Sequence, residues 1–158
     1  MGLQNFYASV IIKIMGNRLY LDNCAFNRPY DDQTLLKNYL EAEAKTFVQK
    51  KILQETFELA WSYVMDYEVS FNPFSDRKNQ ILKWKNIAKV DINESDKIIA
   101  MANNIMQKNI KSKDALHLAC AIEAECNYFI TTDGKILKKS IDNIIIVDPI
   151  NFVRMLGV

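Results

Sequence analysis

The sequence has little with which to build several common kinds of site. Its only histidine is His117, and its three cysteines, Cys24, Cys120 and Cys126, show no CxxC or Cys/His ligand spacing. A zinc site of any usual pattern is thereby excluded, and reduced thiols are the natural reading. Glycine is scarce: of the four in the chain, none lies between Gly16 and Gly134. The glycine-rich phosphate loop of dinucleotide-binding proteins therefore has no counterpart after the first strand. Charge of one sign is missing too. A net charge of +1 gives no global attraction for a polyanion, which must be held by a local patch or through metal ions. The N-terminal apolar stretch Ala8 to Ile12 is far too short to span a membrane and lacks a basic flank and a small-residue cleavage site. A cytoplasmic protein is expected.

What is present suits one globular domain. The 158 residues are 49% hydrophobic and 25% charged, with neither a Gly/Ser/Pro-rich linker nor an internal repeat. Residues 1–14 read as an N-terminal extension and 15–158 as the domain. "LYL" (19–21) suits a short buried strand, and "DDQTLLKNYLEAEAKTFVQKKILQ" a long amphipathic helix, continuous or broken once, with Leu35, Leu36, Tyr39, Leu40, Phe47 and Val48 near helical spacing. "FELAWSY" reads as a second strand and "VMDYEVSF" as a helix stopped by Asn72-Pro73. Ser75 and Asp76 offer N-cap chemistry for the next helix; Asn93 and Ser112 offer it for the two helices after the short strand "KVDI". "NYFITTD" is the clearest strand signal, Asp133-Gly134 opens a short basic helix, and "IIIVDP" is a last strand before a terminal helix. Strands alternating with helices predict an α/β fold, a three-layer α/β/α sandwich around a parallel sheet.

Ligands of an open parallel sheet bind beyond the carboxyl ends of its strands, and acids gather where that rule points. Asp22 ends the first strand, Asp133 follows "YFITT", Asp114 stands in the first turn of its helix, and Glu68 lies one turn beyond Val64. Asp133 and Asp114 also have an ordinary alternative as helix caps or dipole partners, and Glu68 as a solvated helix residue. Carboxylates crowded on one rim repel and stay ionised only beside cations. Oxygen ligands without His or Cys select Mg²⁺ or Mn²⁺, which polarise a phosphate oxygen and activate water. Phosphodiester hydrolysis is the chemistry implied.

These residues resemble the PIN domain, and within it the VapC-like toxin nucleases of toxin–antitoxin pairs, from about Arg18 to Val153. "LYLDN" is similar to the family's opening strand with its first metal-binding aspartate, Asp22, with Asn23 where a small polar residue usually stands. In "SYVMDYE" the serine precedes Glu68 by six residues, as in the second acidic motif, which points to Glu68 rather than Asp66 or Glu58. "KDALHLACAIEAECNYFITTDGKILKK" resembles the third and fourth motifs, carrying Asp114 and Asp133, with Thr131 as a supporting hydroxyl. "NRPYDDQ" and "EVSFNPFSDRKNQILKWKNIA" depart from the shortest toxin forms. The resemblance implies about five parallel strands, a Mg²⁺ or Mn²⁺ centre, single-stranded or structured RNA as substrate, frequent homodimerisation and, for a toxin, an antitoxin partner. A catalytically silent PIN-like module that binds RNA or protein is the alternative.

His117, three residues after Asp114, shares its helical face; a hydrogen-bonded helix histidine is the simpler reading. Arg28, Lys135, Lys138 and Lys139 fall in or near the rim loops and could hold RNA phosphates. Tyr30 and Phe26 could stack on bases, Phe26 being better suited to packing, and Trp61 and Trp84 read as core or interface.

Overall fold

The computed structural model describes residues 2–3 and 16–158. The segment 1–14, with its apolar stretch, lies almost wholly outside the described residues. In chain order the elements are β1 (Arg18–Leu21), α1 (Asn23–Asn27), a 3₁₀ turn (Arg28–Tyr30), α2 (Leu36–Leu53), β2 (Glu58–Ser62), α3 (Tyr63–Ser70) and α4 (Ser75–Ile87). There follow β3 (Val90–Ile92), α5 (Asp96–Met106), α6 (Ser112–Glu123), β4 (Tyr128–Ile130), α7 (Gly134–Leu137), β5 (Ile145–Val147) and α8 (Pro149–Met155). The sheet has five strands, all parallel, in the order β3-β2-β1-β4-β5. The order reverses between β1 and β4, so the crevice beyond their carboxyl ends is the place for a ligand.

Strand alternation assigns the layers. Tyr20 and Phe129 are register partners on β1 and β4 and stack with centroids 5.4 Å apart, and the Tyr20 hydroxyl reaches His117 on α6. Leu19 and Tyr128, also partners, point the other way, where Tyr128 meets Phe152 of α8 at 5.0 Å and α8 packs on α2. Leu19, Tyr20 and Leu21 are all buried, as a strand covered on both faces requires. The result is the expected α/β/α sandwich.

Several local expectations are corrected. Helix α2 starts at Leu36 and runs unbroken for 18 residues, because Asp32 Oδ1 accepts from the Thr34 amide and hydroxyl and holds the preceding residues in a turn. Its inward side carries Glu41, Ala42, Lys45, Val48, Gln49 and Ile52, while Leu35, Leu36, Tyr39 and Leu40 are exposed. Buried polar groups are tolerated there because they are partnered: Arg28 Nε donates to Glu41 at 2.9 Å, and Lys45 to Gln49 Oε1 at 2.8 Å. Ser95, not Asn93, caps α5 by accepting the Ile98 amide. Ser75 and Ser112 are the first helical residues of α4 and α6, behind Phe74 and Lys111, which make no side-chain cap.

A candidate metal centre at the sheet's switch point

Asp22 directly follows the last residue of β1 and is the first residue of the site. Its amide donates to Ile130 O at 2.9 Å, continuing the pairing with β4, and its extended backbone then caps α1. The side chain is thereby turned into the crevice, 5% exposed. Oδ1 accepts the Asn23 amide at 2.7 Å; Oδ2 accepts the Thr131 hydroxyl at 2.8 Å and the Cys24 thiol at 3.2 Å. Thr131 Oγ1 accepts in turn the Asp133 amide at 3.1 Å. One fully buried hydroxyl therefore ties the first acid to the loop of the fourth.

Glu68 comes from α3, whose start is fixed by Ser62 Oγ accepting the Met65 amide. Six residues on, its carboxylate reaches Asn23 Nδ2, which donates to Oε2 at 2.8 Å, and His117 Nε2, 2.6 Å from Oε1. Burial opposes the charged form of Glu68, but the His117 hydrogen bond and charge, Lys113 and the Asn23 amide outweigh it and hold its pKa below the ordinary value. The two other acids on this stretch have other duties: Asp66 accepts from Trp61 Nε1 and Lys85, and Glu58 pairs with Arg18.

His117 is a buried, hydrogen-bonded helix histidine, and its partners reveal why it is there. Its Nδ1 is 2.6 Å from the Tyr20 hydroxyl, which is 2.6 Å from Ser62 Oγ. With the imidazole proton on Nε2, the bonds run one way from the Met65 amide through Ser62, Tyr20 and His117 to the Glu68 carboxylate. Each hydroxyl then donates once and accepts once.

Asp114, in the first turn of α6, is half-buried. Burial first, then the charges of Asp22, Asp133 and Glu68, push its pKa up against the opposing effect of His117. Ligand atoms of Asp22 and Glu68 are grouped closely with His117, whereas Asp114 and Asp133 fall outside that group and line a neighbouring cavity. Asp133 performs its capping duty as well: Oδ1 accepts the Lys135 amide at 2.7 Å and the Ile136 amide at 3.4 Å.

Single ligand atoms of Asp22, Glu68 and His117 lie within 4.8 Å of one another. Since both ring nitrogens of His117 are occupied by Tyr20 and Glu68, the donors left for an ion are carboxylate oxygens, a set that fits a hard cation such as Mg²⁺ or Mn²⁺. Cys24, read in the sequence only as a reduced thiol, sits beside Asp22 with its Sγ 3.2 Å from Thr131 Oγ1, and burial and Asp22 push its thiol up to about 12.

Two cavities border the acids. One, about 680 Å³, is lined by Asp114 and Asp133 together with Lys111, Lys113, Lys135 and Lys139. The other, about 600 Å³, is lined by Glu68, Asn23, Lys113 and several aromatics. Of the basic residues expected at the rim, Lys135 and Lys139 are therefore beside the acids. Arg28 lines neither cavity; its guanidinium donates to Glu41, Asp31 and Asn38. Phe26 is buried against Trp61, at a centroid separation of 5.8 Å. Tyr30 carries the Arg77 guanidinium 4.9 Å from its ring. Among the described residues no helix is long and apolar enough to cross a membrane. No protein-family model and no curated protein matches the chain.

Proposed function

We infer that the protein is a Mg²⁺- or Mn²⁺-dependent endoribonuclease of PIN-domain type, hydrolysing phosphodiester bonds in RNA. The observation that supports this reading is geometric: ligand atoms of Asp22 and Glu68 lie within 4.8 Å of one another at the sheet's switch point, and Asp114 and Asp133 line a cavity beside them, a crowding of carboxylates that a bound cation relieves. A bound ion supplies charge neutralisation at the phosphate and an activated water. Asp22, Asp114 and Asp133 are the residues to hold it, with Glu68 completing the shell. Thr131 orients Asp22, and Asn23 and His117 orient Glu68 from both of its oxygens. Lys135 and Lys139 hold the flanking phosphates and offset the acids' repulsion of the strand.

The reading is tested by incubating an end-labelled, mixed-sequence single-stranded RNA with purified protein and Mn²⁺, Mg²⁺ or EDTA, beside Asp114→Asn. Cutting that needs the cation and is lost in the variant is the expected result. Equal cutting by the variant, or cutting unaffected by EDTA, refutes the assignment.

A further inference from the structure

The cavity beside Glu68 is more than a neighbour of the acids. Tyr67, Phe71 and Phe74 line it, and these rings are 60%, 67% and 53% exposed. Tyr67 and Phe71 meet edge to face, centroids 4.8 Å apart and planes at 74°, and both residues remain largely open to solvent. The Arg77 guanidinium stands 4.0 Å from the Phe74 ring and adds a cation to the same wall.

The backbone that carries the rings is held by short polar contacts. Asn72 Oδ1 accepts the Phe74 amide at 3.0 Å, and the Phe71 amide closes α3 on Glu68 O. Asn72 Nδ2 donates to Asn27 Oδ1 at 3.3 Å, Asn27 Nδ2 to Asn23 Oδ1 at 3.1 Å, and Asn23 Nδ2 to Glu68 Oε2 at 2.8 Å. A row of carboxamides thus runs from the acidic centre to the aromatic wall. A carboxamide has two N–H donors, and this row uses one from Asn23 and one from Asn72.

We propose that this cavity is a nucleobase subsite: an unpaired base next to the scissile phosphodiester stacks on Phe71 and Phe74 and meets the carboxamides with its polar edge. The proposal rests on the ribonuclease reading and deepens it, by naming an unpaired nucleotide as what the enzyme grips. Aromatic faces beside hydrogen-bonding amides are what a splayed-out base requires, and a base stacked within a duplex offers its faces to neither. The volume suits one small ligand rather than a protein helix. Lys113 lines both this cavity and the lysine-lined one, so a strand seated by its base here passes the acids and lays its next phosphates against Lys135 and Lys139.

The test uses the whole chain and a cleavable single-stranded RNA in which each nucleotide around the cut is replaced, one at a time, by an abasic one. For the wild type, an abasic substitution at one position adjoining the cut weakens cleavage by roughly 5- to 150-fold, as the loss of one base stack should. Phe71→Ala with Phe74→Ala weakens the intact RNA similarly and is indifferent to the abasic position, whereas Phe71→Tyr restores the wild-type profile. If the alanine variant cleaves the intact RNA with unchanged KM and keeps the abasic profile, or changes only self-association, the subsite is refuted while the nuclease stands. If the wild type cuts nothing but binds RNA in a Phe71- and Phe74-dependent way, the nuclease reading falls and the subsite survives. Neither cutting nor binding refutes both.

Discussion

Removing one oxygen atom, by Tyr20→Phe, interrupts the hydrogen-bond chain that ends on Glu68. The phenol is fully buried, and burial pushes its pKa well above the ordinary value, so it remains a hydroxyl at any working pH. Without it His117 Nδ1 faces a ring edge with no partner, whereas Ser62 Oγ keeps the Met65 amide at 3.3 Å. An unpartnered buried polar group costs about 1–3 kcal/mol, and a weakened second one a fraction more, giving roughly 2–3 kcal/mol in all. For a domain of this size that is about 4–12 °C in melting temperature. Urea unfolding followed by tryptophan fluorescence checks it: the midpoint falls while the slope is unchanged. A cycle with His117→Leu sharpens the test, because the second substitution should cost less once the first has broken the chain. A Tyr20→Phe protein within about 0.5 kcal/mol of wild type, with additive effects in the cycle, refutes the account of how Glu68 is held.

Asp114→Asn should stabilise the apoprotein at neutral pH. A carboxyl whose folded pKa is raised binds more protons folded than unfolded, so wild-type stability falls as pH rises through the window above 3.8, and the variant's advantage should vanish below it; a variant equally stable at every pH counts against the repulsion. Burial lowers the Lys45 ammonium to about 8 from 10.5, so the unfolded chain holds the extra proton between those values and stability rises with pH across them. Lys45→Met therefore gains up to about 3 kcal/mol at pH 7 and loses the partner of Gln49, netting about 1–2 kcal/mol by chemical denaturation. Arg28→Met strands Glu41, which is 2% exposed and has Lys37 only at 3.6 Å, and should cost about 3–5 kcal/mol; under the proposed ribonuclease function it should leave KM for RNA unchanged. A large rise in KM would return Arg28 to the substrate.

The placement of Asp22 and Asp133 just beyond β1 and β4 was readable because strand ends are. Asp22 and Asp133 each follow an apolar run and precede a turn, and the rule for parallel sheets says such residues converge. Glu68 was singled out by the resemblance, through the serine six residues before it, and the cap that this serine, Ser62, makes on the helix carrying Glu68 emerged only in the structure. Helix α2 misled, because its apolar residues Leu35, Leu36, Tyr39 and Leu40 have helical spacing yet face outward, and its inner side is built on Glu41, Lys45 and Gln49. A polar residue becomes a core residue only when a partner from elsewhere reaches it, and periodicity carries no record of partners. The same limit hid the role of His117: Tyr20, which fixes its ring, is 97 residues away in sequence.

The bond from Thr131 to Asp22 spans 109 residues, and the pairing of β1 with β4 that makes it is equally distant. Pairings of that range form slowly, because the intervening chain must be closed into a loop before any contact rewards it. Strands β1, β2 and β3 lie in sequence along one half of the sheet and can associate as they emerge from the ribosome, but β1 keeps a bare edge until β4 is made. The acids from the two halves meet only when that edge closes. A growing or truncated chain that stops short of Asp133 lacks the full set of acids, which ties any activity of the set to synthesis past that residue.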